Sequence, residues 1–544
     1  MSPSHRIGNE RYYLGIRYKW YAAVIVMIGT FMTLLDTTIV DITLPKMMAS
    51  LNADTHGIQW VVIAYMIGSA ISMTAVGWIG AKIGHRDTYI YGMVIFTVMS
   101  MLCGQAANLE IMTLGRFIQG IGEGMVVPVA MTMLYEVFPE DEQGIAMGIF
   151  GLGASAAPAL GPILGGFLTE HLTWRWIFYV NIPVSVIGLA AAVLLLKKSK
   201  PEEERAGLFN LGSFLLMSIS FGSLLIFLSK GQEWGWTHSD RIVFLMALWV
   251  VTFSLYIYRE RRSEEPLLHI RLFRNPVFAL AVVGMFIFSM TIYGGYFLIP
   301  LYLERLRGFT TLDAGIIMLP GSIATSVGVV LGGALSDKFN AKLIALFSAV
   351  AFALATFMLA NFDLNTEKST IILLYIFWGG AFGPLFPSLT VIALNIIPIE
   401  DVNMGSAIQN ISRLVAGSVG TSISVTILSR RTDLFFDRIS EQIHYGNKTA
   451  FGAFQQLQHY LMGQGAQPET ARLQAAAFFE MLIRRTASSY AFQSTFIWLG
   501  IIGILCIVTV FFIKYKKRQG VKIAVHCSVF SPFLRRIPVF GRPL

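Results

Sequence analysis

Apolar positions in this chain come in long runs rather than in alternating or heptad patterns. Fourteen runs approach the ~20 residues that a helix needs to cross a bilayer. They fall at roughly 20–42, 58–80, 88–106, 109–134, 144–168, 174–196, 208–229, 241–258, 277–303, 312–334, 341–361, 369–398, 405–428 and 490–514. The pattern predicts an all-α integral membrane protein with fourteen transmembrane helices. Two charged stretches, Lys197 to Arg205 and Arg259 to Asn275, interrupt the series. They suggest an N-terminal six-helix bundle in 1–200, a linker with two additional helices in 201–262, a C-terminal six-helix bundle in 263–514 and a basic tail in 515–544. The second span of each half is followed by a similar stretch, Gly77 to Arg86 and Gly333 to Lys342, and repeated halves are a mark of secondary transporters. The polar segment 430–489 is expected to lie outside the membrane. Within it, Glu469 to Tyr490 mixes apolar and charged residues after Pro468. That reads as a surface helix against the membrane or the protein, with a docking site for a partner as the sharper alternative.

Composition agrees with the runs. Charged residues make up 13% of the chain, about half of the ~25% usual in soluble domains. The mean hydropathy is +0.63. The net charge of +9 comes from basic residues between the runs, among them Lys82, Arg86, Lys197, Arg259, Lys338 and Lys514. They mark those loops as cytoplasmic and place both termini inside, so the charge calls for no nucleic acid. Cys103, Cys506 and Cys527 form no C-x-x-C, and neither a disulfide framework nor a metal site is expected. The run after Lys19 is too long for a signal h-region and is expected to be retained as the first helix. No P-loop, zinc H-E-x-x-H or nucleophile elbow is present, so neither ATP-driven transport nor an enzyme is expected.

The chemistry lies in ionisable residues inside the runs. Asp36 sits in the first, where a charge at mid-helix costs roughly 2.5–3.5 kcal/mol unless it faces a partner or water. Arg116, Gly120 and Glu123 share one face of the fourth, which therefore carries a cation, a gap and an acid. At 1.5 Å per residue, Asp36 lies ~24 Å beyond Trp20 and Arg116 ~10 Å from the start of its own helix, so both fall in the outer half. An Asp36–Arg116 interaction follows, with snorkelling of Arg116 as the alternative. Glu123 reads equally as a second protonatable acid or as a buried neutral carboxyl. Asp41, five residues beyond Asp36, points to another face and suits a gating or structural role. The fifth run holds Gly151 and Gly153, then Gly161, Pro162, Gly165 and Gly166, which allow close helix approach and a bend. Arg413 shares the thirteenth run with Gln409 and Asn410, and its partner is not assignable from sequence. All histidines lie in tails, loops or span edges, which leaves any proton movement to carboxylates.

These residues together resemble the fourteen-helix drug:proton antiporter branch of the major facilitator superfamily. Leu35-Asp36-x-Thr38-Ile39-Val40-Asp41-x-x-Leu44-Pro45 is similar to its first-helix motif, with Asp41 where Asn is usual. Arg116-x-x-Gln119-Gly120, Gly161-Pro162-x-x-Gly165-Gly166 and Trp174-Arg175-Trp176-Ile177-Phe178-x-x-Asn181-x-Pro183 also match. The loop motif after the second helix keeps Lys82 and Arg86 but has Ala81 at its acid position, whereas Asp337 keeps an acid in the second half. Ser406 to Arg413 and the long segment before the last helix bring the chain nearest to the EmrB/QacA-like multidrug efflux permeases, EmrB type. The resemblance implies a bacterial inner-membrane exporter working with a periplasmic adaptor and an outer-membrane channel.

The resulting expectation is a proton-coupled exporter of amphipathic, cationic or lipophilic compounds that uses the proton gradient and no cofactor. Asp36, Arg116 and Glu123 would carry the coupling, and Asp41, Gln119, Gly120, Gly161, Pro162, Gly165, Gly166, Lys82, Arg86, Asp337 and Arg413 the gating and helix contacts. Tyr293 and Tyr296 would line the substrate cavity. A dedicated exporter of a lipid, fatty acid or siderophore is the rival within the class, and a non-transporting scaffold or sensor the rival outside it.

Overall fold

The computed structural model describes residues 12–13, 16–54, 57–198, 207–263, 266–442 and 448–515. The basic tail from 516, Cys527, most of the first charged linker and the first eleven residues lie outside the described residues. The described chain is almost wholly helical. A two-residue pairing, β1 (Tyr12–Tyr13) with β2 (Ile16–Arg17), precedes the first helix.

The first group of helices is α1 (Tyr18–Met48), α2 (Trp60–Ile83), α3 (His85–Gly104), α4 (Leu109–Val137), α5 (Gln143–His171), the short α6 (Trp176–Tyr179) and α7 (Asn181–Leu195). Next come α8 (Leu211–Trp234) and α9 (Asp240–Arg262). Then follow α10 (Pro276–Leu301), α11 (Thr311–Lys338), α12 (Ala341–Leu359), α13 (Lys368–Phe382), α14 (Leu385–Asn395), α15 (Val402–Gln442), α16 (Lys448–Gly463) and α17 (Pro468–Phe512). Thirteen spans among the described residues are long and apolar enough to cross a membrane. The 29-residue α5 stands beside them. Helix starts are set by local chemistry. Asn108, Asn210, Asn275 and Thr310 each accept a hydrogen bond from the first turn of α4, α8, α10 and α11, and Pro276 opens α10, where its missing N–H costs nothing.

The helices pack in two groups. α1 lies against α4, α5 and α7, and α2 and α3 lie against α4; α10 lies against α15 and α17, and α12 against α13, α14 and α17. The groups meet through α5 on α11 and α14, and through α2 and α4 on α15. α8 packs on α9, on α2 and on α15. Lys230 Nζ donates to Gln59 Oε1 at 2.9 Å, and Ser422 Oγ donates to the Leu228 carbonyl at 2.9 Å, so α8 bridges both groups.

Three spans depart from the hydropathy reading. The twelfth is broken into α13 and α14 at Gly383-Pro384, where proline withdraws a donor and Gly383 crowds the backbone of Gly328. The thirteenth does not stop near 428: α15 runs for 41 residues, about 62 Å at 1.5 Å per residue. Glu469 to Tyr490 is not a separate surface helix but the first half of α17, a 45-residue helix of about 68 Å that contains the last span. Neither Gly nor Pro occurs between Glu469 and Leu499 to end it. Both helices exceed a ~30 Å hydrocarbon layer, and beyond it they pack as a three-helix projection with α16. Phe454 meets Phe479 there at 5.6 Å, and Phe435 meets Tyr490 at 5.7 Å.

Candidate functional site

Asp36 is fully buried at mid-length of α1. Its carboxylate accepts from three side chains. Arg116 Nη1 donates to Oδ2, Gln119 Nε2 to Oδ1 at 3.3 Å and Asn181 Nδ2 to Oδ1 at 2.7 Å. One residue on α1 is thereby tied to two on α4 and one at the start of α7. Arg116, 1% exposed, spends its remaining donors inside the same group: Nε on the Val61 carbonyl at 3.2 Å and Nη1 on Gln119 Oε1 at 2.9 Å. The Tyr65 ring covers the guanidinium at 4.0 Å, and Tyr65 Oη donates to the Thr33 carbonyl at 3.2 Å. Buried ion pairs survive desolvation only when their other hydrogen-bonding groups are met, and here most are.

Glycine makes the cluster compact. A Cβ at Gly120 would collide with the Tyr65 carbonyl, so α2 and α4 cross backbone to backbone beside Arg116. Gly161 and Gly165 do the same for α5 against Thr38 and Ile39 of α1, and Thr38 Oγ1 donates to the Ala157 carbonyl at 3.2 Å. Gly166 instead faces the backbone of Leu312 in α11, which a Cβ added there would meet at ordinary contact distance. α5 runs unbroken through both prolines. The side chains of Asp41 and Pro162 lie outside the described residues.

Glu123, 4% exposed, lies deeper on α4, where the two groups of helices meet. Its Oε2 has no hydrogen-bond partner among the described residues, nor do Ser69 Oγ and Ser72 Oγ on α2. Arg413 approaches from α15, close enough for the two charges to interact.

The other expected residues are placed elsewhere. Asp337 spans the groups at the end of the bundle that carries the basic loops. Its Oδ1 accepts from Gly144 N at 2.6 Å and its Oδ2 from Ile145 N at 2.9 Å, so an α11 carboxylate caps the positive end of α5. Tyr135 and Thr132 of α4 reach Asn395 and Asn403 at the same end, so several bonds join the two groups there. Lys82 is exposed, and Arg86 ties the start of α3 to the Val193 carbonyl of α7 within one group. Tyr293 and Tyr296 do not join Asp36. They form an aromatic cluster with Trp378, Tyr293 lying 6.4 Å from Tyr296 and Tyr296 5.6 Å from Trp378. Two residues of the Asp36 network had no role assigned from sequence: Asn181 appears there only as a motif position, and Tyr65 not at all. An amide at the head of an apolar run is the signal that points to Asn181.

Two packed groups of helices long and apolar enough to span a membrane, with a buried carboxylate–guanidinium pair inside the first, are the architecture of a multi-pass membrane protein. The family model described as Major Facilitator Superfamily matches residues 26–421, and the chain belongs to that superfamily. It is 30% identical over 440 residues to the uncharacterized MFS-type transporter YhcA of Bacillus subtilis, covering 81% of this chain and 82% of that one. It is 27% identical to the multidrug export protein EmrB of Escherichia coli, covering 81% and 86%. The solved proton:xylose symporter XylE shares the fold with a TM-score of 0.54 at 14% identity, over 91% and 96% of the two chains.

Proposed function

We propose that this protein is a proton-coupled multidrug exporter of a bacterial inner membrane, working by alternating access with both termini in the cytoplasm. The observation that carries the reading is the fully buried Asp36 with its three donors. A proton on Asp36 removes the charge that Arg116 matches and replaces an acceptor with a donor. Arg116, Gln119 and Asn181 must then re-partner, which moves α1 relative to α4 and α7. Glu123, between the helix groups, is the second acid that exchanges protons as the halves rock. Substrate enters between the halves, and the multidrug export and resistance names of several relatives support a broad range of amphipathic compounds. The projection of α15, α16 and α17 is the surface a periplasmic adaptor would engage.

The test is proton release from inverted vesicles on adding ethidium, with the intact protein against Asp36→Asn. Release that disappears with the substitution supports the reading. Release that persists moves the coupling acid to Glu123. No release from the intact protein with ethidium or with an anionic dye overturns proton-coupled multidrug export.

A further inference from the structure

Arg413 is a charge within a spanning helix that has no partner in the Asp36 network. It lies half-buried on α15, where that helix faces α4 and lies near α5 and α14. No hydrogen bond or ion pair reaches it among the described residues. Glu123 comes near but does not bond to it. Two rings that stack on each other lie to one side of the guanidinium, Phe150 of α5 at 5.9 Å and Phe386 of α14 at 6.0 Å, at the outer limit for a cation–π contact. The rings lie 6.1 Å apart at 16° to each other and come from opposite helix groups. One helical turn before Arg413, on the same face, stands Gln409. It is 4% exposed, and both its Oε1 and its Nε2 lack partners among the described residues.

Arginine in a spanning segment needs a carboxylate, a carbonyl or water, and it binds planar anions through paired donors. No such acceptor bonds it among the described residues, and the nearby carboxylate of Glu123 acts on it only as a charge. The protein supplies an apolar wall of two rings and an amide that can both donate and accept. The Asp36–Arg116 pair, by contrast, is complete and offers no free charge to a substrate.

We propose that Arg413, Gln409, Phe150 and Phe386 form a receptor for the acidic group of an aromatic amphiphile, and that compounds bearing a carboxylate, sulfonate or phenolate are preferred over cations. This rests on the exporter reading above and reverses the charge preference expected from sequence. A cation at the same place would meet Arg413 as a like charge.

The experiment measures equilibrium binding of 1-pyrenesulfonate and of 1-pyrenemethylammonium to the purified full chain in phosphatidylcholine nanodiscs, with empty nanodiscs subtracted. The sulfonate is expected to bind at least tenfold more tightly than the ammonium. Arg413→Gln should lower its affinity at least tenfold, and Gln409→Glu, which keeps the shape and adds a like charge, should lower it as well. Arg413→Lys should retain part of the affinity, which separates loss of charge from loss of fold. An ammonium that binds as well as the sulfonate, a sulfonate indifferent to Arg413→Gln, or binding no greater than to empty nanodiscs would overturn the proposal. Both probes are then followed into proteoliposomes under a proton gradient. Arg413-dependent binding without gradient-driven movement defeats the exporter reading and leaves the site standing. Gradient-driven movement of the ammonium alone defeats the site and leaves the exporter standing.

Discussion

Replacing Asp36 by alanine strands Arg116 in the interior. The guanidinium is 1% exposed and keeps only the Val61 carbonyl and Gln119 Oε1 as acceptors. Removing one partner of a buried pair costs about 3–5 kcal/mol because the other charge is left uncompensated. Two further donors, from Gln119 and Asn181, lose an ionised acceptor, and hydrogen bonds to charged groups are worth roughly 1.5–3 kcal/mol each. Rebonding among the amides recovers part of that, so the expected loss stays at about 3–5 kcal/mol. Asp36→Asn keeps a neutral acceptor and should lose about half as much. The double variant Asp36→Ala with Arg116→Met removes both charges and should recover most of the stability, since buried pairs exchange for apolar residues at little net cost. Transport should not return with it. Equilibrium unfolding in mixed micelles, read as a double-mutant cycle, gives the coupling directly. Single variants within 1 kcal/mol of the parent, or a double variant equal to the sum of the singles, would refute the argument.

Other parts of the structure give sharper single tests. Asp337→Asn removes the carboxylate that caps α5, a contact worth up to about 2 kcal/mol in a partly buried setting. Spin labels on the α4–α5 and α11–α12 connections should then report a population opened at the basic end, increased by up to about thirtyfold. Lys230→Met cuts the link of α8 to Gln59 and the pairing with Glu233 one turn along the same helix, and should lower unfolding stability by about 1.5–3 kcal/mol in the same micelles. At the basic end, the hydrogen bond from His269 and the charge of Arg271 hold the Asp401 carboxyl below its ordinary 3.8. A depressed folded value means that this contribution is complete above about pH 4 and is lost as pH falls through the folded value. The stability gap between the parent and Asp401→Asn should therefore be constant from pH 7 to pH 5 and close at lower pH.

Hydropathy made the spanning helices legible because it reads what the bilayer demands, and for the same reason it misread where helices end. α15 and α17 continue past the apolar stretch as charged amphipathic helix, with no change in backbone. Matching depths brought Asp36 and Arg116 together on paper, since rise per residue is fixed. Depth does not give rotation, so neither Asn181 nor the stacking of Tyr65 on the guanidinium could be derived. Arg413 was visible as a charge in an apolar run, but its aromatic neighbours, Phe150 and Phe386, lie 236 residues apart in sequence and in different halves. Only the packed structure places Phe150 beside Phe386.

One helix links these features. α5 meets α1 at Gly161 and Gly165 beside Thr38 and Ile39, two and three residues from Asp36. It begins under Asp337 at the basic end, carries Phe150 into the interface and approaches α11 with Ser155 3.4 Å from Ser326. A shift of α1 on protonation can therefore reach the opposite half through α5 as a rigid element. The α1–α5 crossing is where that transmission is most easily broken. At Gly161 an added Cβ would run into Thr38 Oγ1 and lie 2.8 Å from Thr38 Cβ, so Gly161→Ala forces the helices apart. Overpacking of this kind costs about 1–3 kcal/mol, enough to distort the crossing without abolishing the fold. The expected phenotype is proton movement no longer tied to substrate: inverted vesicles should lose their imposed gradient without added dye. Thr38→Ala in the same chain removes Oγ1 and should restore part of the coupling. Gradients held as tightly by Gly161→Ala as by the parent, with dye-driven release intact, would show that the signal does not pass through this crossing.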